Sequence, residues 1–324
     1  MAALPASVAR VRGAVRAMLR ELPEPVTVLV ACSGGPDSMA LAAAVRFVAP
    51  RLGRRAGLVT VDHGLQDGSG RRAAALADWA GRAGFDPVES VPVTVDVRSG
   101  GPEGAAREAR YAALAAAADR YHAAVMLGHT RDDQAETVLL ALARGSGPRG
   151  LAGMPARREH LWRPLLAVDR ADTVAACREL DLPVWHDPHN DDPAYTRSRL
   201  RAAMPVLTRT LGDRLVANLA RTAELVAADS AALDDWAGER LRVGRAADPA
   251  RLDIARFVDL PRAVRTRVWR QWLLANGAEP DGLSYVHIMA VDALVVSWRG
   301  QGPVAVPGGG RVCRDGTDLV MTRR

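Results

Sequence analysis

A doubly wound parallel α/β sheet, a linker helix and a smaller α+β domain are expected for this 324-residue chain. Two observations carry that expectation. Short apolar runs alternate with amphipathic stretches from residue 26 to about 142, and the pattern changes character after residue 250. Strands alternating with helices argue for βαβ units. Right-handed crossovers then cover the sheet on both faces. The expected boundaries are 1–210 for the sheet domain, 211–245 for the helical linker and 246–324 for the small domain.

Taken in order, residues 1–20 spread Arg10, Arg12, Arg16 and Arg20 along an alanine-rich amphipathic stretch. A secretory signal would need an uninterrupted apolar block, so this segment reads as a surface helix and the protein as cytoplasmic. Strands are expected at 26–32, 57–62, 88–95 and 124–128, with helices near 38–48, 70–83 and 102–121 between them. The stretch 144–164 is rich in Gly, Pro and Arg and reads as a loop able to close on substrate. A helix is expected at 169–180, and a loop at 183–201, broken by Pro188, Asn190 and Pro193. One long helix is expected over 211–241. Helices near 260–276 and 284–297 precede short strands at 302–306, 310–313 and 318–322. No apolar run is long enough to span a bilayer, so no membrane is expected as a partner.

The chain contains no lysine, so all 43 basic residues are arginine. Chemistry that needs a protein amine nucleophile or Schiff base is excluded, as is the phosphate-binding lysine of a Walker loop or a protein kinase. Cys32, Cys177 and Cys313 are widely separated and form no Cys-x-x-Cys pair, which argues against zinc, iron–sulfur or dithiol chemistry. Net charge is +6, compatible with an acidic polymer as partner.

Ligands of doubly wound sheets bind beyond the strand C-termini. Three such ends carry informative residues. After the first strand stands Ser33-Gly34-Gly35-Pro36-Asp37-Ser38, opening a helix. Its glycines let backbone N–H groups approach an anion, and the helix N-terminus adds its dipole. The hydroxyls of Ser33 and Ser38 are donors, and Asp37 can hold Mg2+ against phosphates. After the second strand comes Asp62-His63-Gly64, and after the fourth Gly128-His129. The helix that follows carries Asp132, Asp133 and Glu136. Spacings of three and four gather these carboxylates on one face, suited to a metal or a cationic amine. Acids in a first turn are also favoured by the helix dipole, which accounts for Asp132 and Asp133 but not for Glu136.

Ser-Gly-Gly-x-Asp-Ser after a first strand resembles the loop of the N-type ATP pyrophosphatases, the PP-loop superfamily. Gly128-His129-Thr130-Arg131-Asp132-Asp133-Gln134-Ala135-Glu136-Thr137 is similar to the motif of the tRNA(Ile)-lysidine synthetases within it. Further matches follow in order: Asp62-His63-Gly64-Leu65, Glu108-Ala109-Arg110-Tyr111, Arg144-Gly145-Ser146-Gly147, Arg163-Pro164-Leu165-Leu166, Asp187-Pro188 and Tyr195-Thr196-Arg197-Ser198-Arg199-Leu200-Arg201. Gln66 replaces the family's usual arginine and Ser198 its usual asparagine. The tail from Leu252 resembles the family's small substrate-binding domain more loosely.

The resemblance implies ATP and Mg2+ as cofactors, with a CAU-anticodon isoleucine tRNA and free L-lysine as substrates. ATP would adenylate the C2 oxygen of the wobble cytidine, and lysine would displace AMP. It further implies that Ser33, Gly34, Gly35, Pro36, Asp37, Ser38, Asp62, His63, Gly128 and His129 hold ATP, with Asp37 on the metal. Asp37, Asp133 and Glu136 would be catalytic, a carboxylate serving as general base for the amine. Asp132, Asp133, Glu136, Arg110 and Arg199 would bind lysine. Arg144, Arg149, Arg197, Arg201, Arg265, Arg267 and Arg270 would meet tRNA phosphates. Around the first of these, Arg157, Arg158 and Arg163 add charge. Homodimerisation is implied by the resemblance alone.

Other readings are a second PP-loop tRNA-modifying enzyme, such as a thiolase, or a nucleotide-gated RNA-binding protein without catalysis. Thiolases acting on cytidine typically need paired cysteines, which this chain lacks. The non-catalytic reading leaves the carboxylate cluster without a purpose.

Overall fold

Two strands of buried branched and small residues form the centre of the first unit. β1 (Thr27–Ala31) and β4 (Ala123–Leu127) lie parallel, with Leu29 opposite Val125 and Ala31 opposite Leu127. β2 (Ala56–Asp62) extends the sheet from the other edge of β1, and β3 (Val88–Pro92) follows β2, both in parallel. Beyond β4 come β6 (Leu161–Trp162), parallel, and β5 (Arg157–Arg158), antiparallel, giving the order β3-β2-β1-β4-β6-β5. The computed structural model describes all residues except 1–3, 24, 25, 63, 65–67, 95–100, 186–191, 245–247 and 324, together with the side chains of 101–103. His63, Gln66, Asp187, Pro188 and Asn190 therefore lie outside the described residues.

Strand side chains alternate between two cores, as period two requires. Val28 and Val30 of β1 and Met126 of β4 face α1 (Ala6–Arg20), α2 (Pro36–Val48) and α7 (Arg170–Glu179). Leu29, Ala31, Val125 and Leu127 face Leu114, Ala117 and Ala118 of α4 (Gly101–Tyr121). Each fully buried aliphatic side chain contributes about 1.5–3 kcal/mol relative to exposure. α3 (Ser69–Arg82) packs beside β2 and β3. α5 (Arg131–Ala143) follows β4, and α6 (Pro148–Leu151) is a single turn against it.

Four segments depart from expectation. The loop expected at 183–201 ends early, because α8 (Thr196–Leu211) begins just after Pro193 and carries Pro205 within it. The helix expected over 211–241 is interrupted before it starts: Gly212 takes φ +102°, and α9 (Leu215–Val243) begins beyond it. β5, β6 and β7 (Arg251–Asp253) were not expected, since two or three residues show no alternation.

The chain divides into two compact units, Met1–Leu225 and Val226–Arg324, with the division inside α9. The second unit has an antiparallel sheet in the order β7-β10-β9-β8, formed with β8 (Val304–Val306), β9 (Gly310–Asp315) and β10 (Asp318–Arg323). α10 (Arg262–Ala275) and α11 (Tyr285–Val296) supply Trp269, Trp272, Val291 and Leu294 to its core. No helix among the described residues is long and apolar enough to cross a membrane.

Candidate active site

The order of the first sheet reverses between β1 and β4. Successive connections run outward from β1 to β2 and β3, then return to β4 on the opposite side. The C-terminal ends of β1 and β4 are therefore adjacent, and both sequence motifs begin there.

After β1 the chain turns through Gly34 at φ +83°, a conformation that favours glycine. Pro36 occupies the first turn of α2, where its missing N–H costs no helical bond. Ser38 closes the loop on itself: its hydroxyl accepts from Ser33 N at 3.2 Å and donates to Gly35 O at 2.9 Å. The loop is braced from outside by Trp185 N donating to Gly34 O (2.9 Å) and Cys177 Sγ donating to Pro36 O (3.2 Å). Burial, with Asp37 nearby, pushes the Cys177 thiol up to about 12, in keeping with an inert structural thiol. Gly128 lies against the same loop.

The 128–137 segment runs from the end of β4 through the N-cap Thr130 into the first turns of α5. Thr130 and Asp133 make a capping box: Asp133 Oδ2 accepts from Thr130 N (2.8 Å) and Thr130 Oγ1 (2.9 Å). Gln134 fixes the following loop through both its amide atoms, accepting from Met154 N (2.7 Å) and donating to Met154 O (3.0 Å). Asp132 turns to α7, where its Oδ2 accepts from Arg170 N at 2.8 Å.

One residue missed by the sequence reading joins these parts. The Arg170 guanidinium reaches Asp133 Oδ1 at 2.6 Å, Glu136 Oε1 at 3.0 Å and Asp37 Oδ2 at 3.4 Å. Thr173, one turn further on α7, donates to the other oxygen of Asp37. Arg201 adds a second guanidinium, with Nε 3.1 Å from Glu136 Oε1 and Nη2 3.3 Å from Oε2. Glu136 is only 1% exposed, a burial its two arginines make tolerable. Burial works against the charge on Arg170, but Asp133, Glu136 and Asp37 outweigh it and raise its proton affinity. Burial likewise pushes Asp133 up, yet Arg170 and the Thr130 amide hold its carboxyl below the usual range. Asp37 goes the other way: burial raises it despite Thr173 and Arg170.

A buried histidine under the influence of three arginines stands next to Asp133. His129 Nδ1 is buried without a hydrogen-bond partner among the described residues. Burial, reinforced by Arg110, Arg163 and Arg107, pushes the ring down to about 3 although Asp133 opposes this, so the imidazole is neutral near pH 7. Arg110 is itself lowered by desolvation and lies near Cys32 and Tyr111. At the end of β2, Asp62 Oδ1 accepts from Gly64 N at 3.0 Å.

Residues 10–207 match the PP-loop domain family, and residues 252–319 match the TilS substrate binding domain family. A tRNA(Ile)-lysidine synthase of Salinispora tropica is 60% identical over 97% of this chain and 96% of its own. One of Thermobifida fusca is 54% identical over 99% of each.

The chain belongs to the tRNA(Ile)-lysidine synthase family.

A solved U34-tRNA thiolase, NcsA from Methanococcus maripaludis, has the same fold, with a TM-score of 0.56, 17% identity, and coverage of 68% of this chain and 80% of that one.

In this tRNA(Ile)-lysidine synthase relative, the arginines expected to meet RNA separate into different environments. Arg144 and Arg149 are exposed at the end of α5 and on α6. Arg197 donates to Thr137 Oγ1 (3.2 Å), and Arg201 belongs to the carboxylate cluster. Arg163, at 5% exposure, donates to Pro155 O (2.9 Å) and lies inside the unit. Arg265 does not lie on the RNA-facing surface expected of it: it is buried against Asp292 (2.7 Å), and Trp269 Nε1 donates to the same carboxylate (2.8 Å). The period of α10 turns residues 264, 265, 268, 269 and 272 inward together, so Arg265 belongs to the core. Arg267 is 13% exposed beside Asp234, and Arg270 is half-buried and donates to Leu283 O (2.9 Å). These three do not form an open phosphate-binding face. Arg199 donates to Pro193 O and Ala194 O of the loop before α8 and to Thr196 Oγ1 in its first turn, so these bonds are local and not to Asp133 or Glu136.

Proposed function

We propose that this chain is a C–N ligase that forms lysidine on a CAU-anticodon isoleucine tRNA, using ATP and L-lysine. The observation that carries the reading is the convergence of the 33–38 phosphate loop with Asp133 and Glu136 at the β1 and β4 ends, in a chain of this family.

The loop amides and the α2 N-terminus receive the pyrophosphate portion of ATP. The C2 oxygen of cytosine attacks the α phosphorus, pyrophosphate leaves, and an O-adenylated cytidine remains. The lysine ε-amine then attacks C2 and AMP departs. Asp37 fits a Mg2+ ligand, because it stands in the first turn after the loop and Mg2+ needs only one or two carboxylates besides phosphates and water. Mg2+ bound there would neutralise charge developing on the pyrophosphate. Neutral His129 serves as a hydrogen-bonding group rather than a cation at this end.

Asp133 and Glu136 form the amine end. Because Arg170 keeps Asp133 ionised with low proton affinity, Asp133 acts as the holder of the substrate ammonium rather than its general base. Glu136 orients Arg201, whose guanidinium, 37% exposed, suits the lysine carboxylate or a tRNA phosphate.

Incorporation of labelled L-lysine into a CAU-bearing isoleucine tRNA transcript tests the reading, with AMP followed in parallel. Lysine-dependent label together with AMP supports it. AMP without label would retain adenylation but reject lysine as the nucleophile.

A further inference from the structure

Asp37 and the Asp133–Glu136 pair come from different strand ends and stand at opposite ends of the proposed reaction. Asp37 belongs to the nucleotide loop and the pair to the helix after β4. Among the described residues, the Asp37 carboxylate hydrogen-bonds to Thr173 and Arg170, both on α7. Arg170 in turn holds Asp133 and Glu136, while its own backbone N–H is fixed by Asp132. The first turn of α7 is therefore the bridge between two helices that otherwise carry their carboxylates separately.

Three nitrogens of one planar guanidinium are directed to three carboxylates. A change in the position of any one of them is passed on through a rigid fork. Arg170 is 21% exposed, against 23%, 18% and 1% for Asp37, Asp133 and Glu136, so these contacts are shielded from water.

We propose that Arg170 is a positioning residue that couples the nucleotide end of the site to the amine end, so that the adenylated cytidine forms within reach of a correctly held lysine. The proposal rests on the lysidine-forming reading above. When coupling fails, water replaces lysine: attack of water on the adenylated C2 restores the cytidine carbonyl and releases AMP without a C–N bond. The ratio of AMP formed to lysine incorporated therefore reports the coupling directly.

The experiment compares the full-length wild type with Arg170→Gln and Arg170→Lys, following AMP, labelled lysine on tRNA, and the KM values for L-lysine and ATP. The wild type releases one AMP per lysine. Arg170→Gln raises that ratio several-fold and the KM for lysine about tenfold, with a smaller change in the KM for ATP. Arg170→Lys keeps the charge but loses the fork, and its ratio lies between those two. If Arg170→Gln does not fold by circular dichroism, a raised ratio in Arg170→Lys carries the test. A lower kcat with the ratio and both KM values unchanged would mean that Arg170 only supports the fold, and the proposal falls. A wild type that adds no lysine overturns the proposed function itself, a result distinct from an unchanged ratio in an active wild type.

Discussion

Gly128 and Asp37 meet backbone to backbone: a Cβ on residue 128 would lie 3.1 Å from the carbonyl carbon and oxygen of Asp37. The end of β4 is thereby pressed against the first turn of α2, the element that the 33–38 loop opens. Gly128→Ala should displace the loop by a few tenths of an ångström at a cost of about 1–3 kcal/mol. Steady-state kinetics should show the KM for ATP raised about tenfold while the variant still melts cooperatively. An unchanged KM for ATP would detach Gly128 from nucleotide binding.

His129 gives a pH signature. Its native proton affinity is depressed to about 3, so above pH 6.5 the ring is neutral in both native and unfolded states. As pH falls below 6.5 the unfolded chain takes a proton that the native one refuses, and stability is lost until about pH 3. Urea unfolding at pH 7.5 and pH 5 should show His129→Gln losing about 2 kcal/mol less than wild type over that interval. Staying above pH 5 keeps the carboxyl titration of Asp133, which begins lower, out of the comparison. Equal losses in the two proteins would contradict the buried, neutral ring.

Arg265→Gln should destabilise the protein, with little effect on the salt dependence of tRNA binding. It leaves Asp292, 1% exposed, without its cationic partner, and breaking a buried pair costs about 3–5 kcal/mol. Chemical denaturation measures the loss. A variant of native stability with a flatter salt slope would return Arg265 to the RNA surface.

The sheet and both motifs were legible because each rests on local pattern. Apolar runs mark β1 and β4, the Gly34-Gly35 pair marks a turn open to an anion, and Asp132, Asp133 and Glu136 stand at helical spacings of three and four. Arg170 was not legible, since its three carboxylate partners lie 34, 37 and 133 positions away in sequence. It read only as the start of a helix. Arg265 was misread for a related reason. Arginines at 265, 267 and 270 resemble a basic face until Asp292, from another helix, draws the first of them inward. In the structure the helical period carries Trp269 and Trp272 into the core, and Arg265 lies on that same face.

Phosphate contact is predicted for Arg144 and Arg149, both exposed, at the end of α5 and on α6. Replacing both with glutamine should reduce the slope of log K against log salt by roughly 1.4–1.8 for two lost contacts. Filter binding with the isoleucine tRNA across a salt series measures this. An unaltered slope would place the RNA elsewhere.

The most direct test of the account is nucleoside mass spectrometry of the tRNA recovered after reaction with ATP, Mg2+ and L-lysine. The wobble nucleoside should be cytidine that has gained one lysine and lost one water, and Asp37→Ala should leave it as cytidine. Unmodified cytidine with well-folded wild-type protein and competent tRNA, or a sulfur-bearing nucleoside in its place, would contradict lysidine formation as the function of this chain.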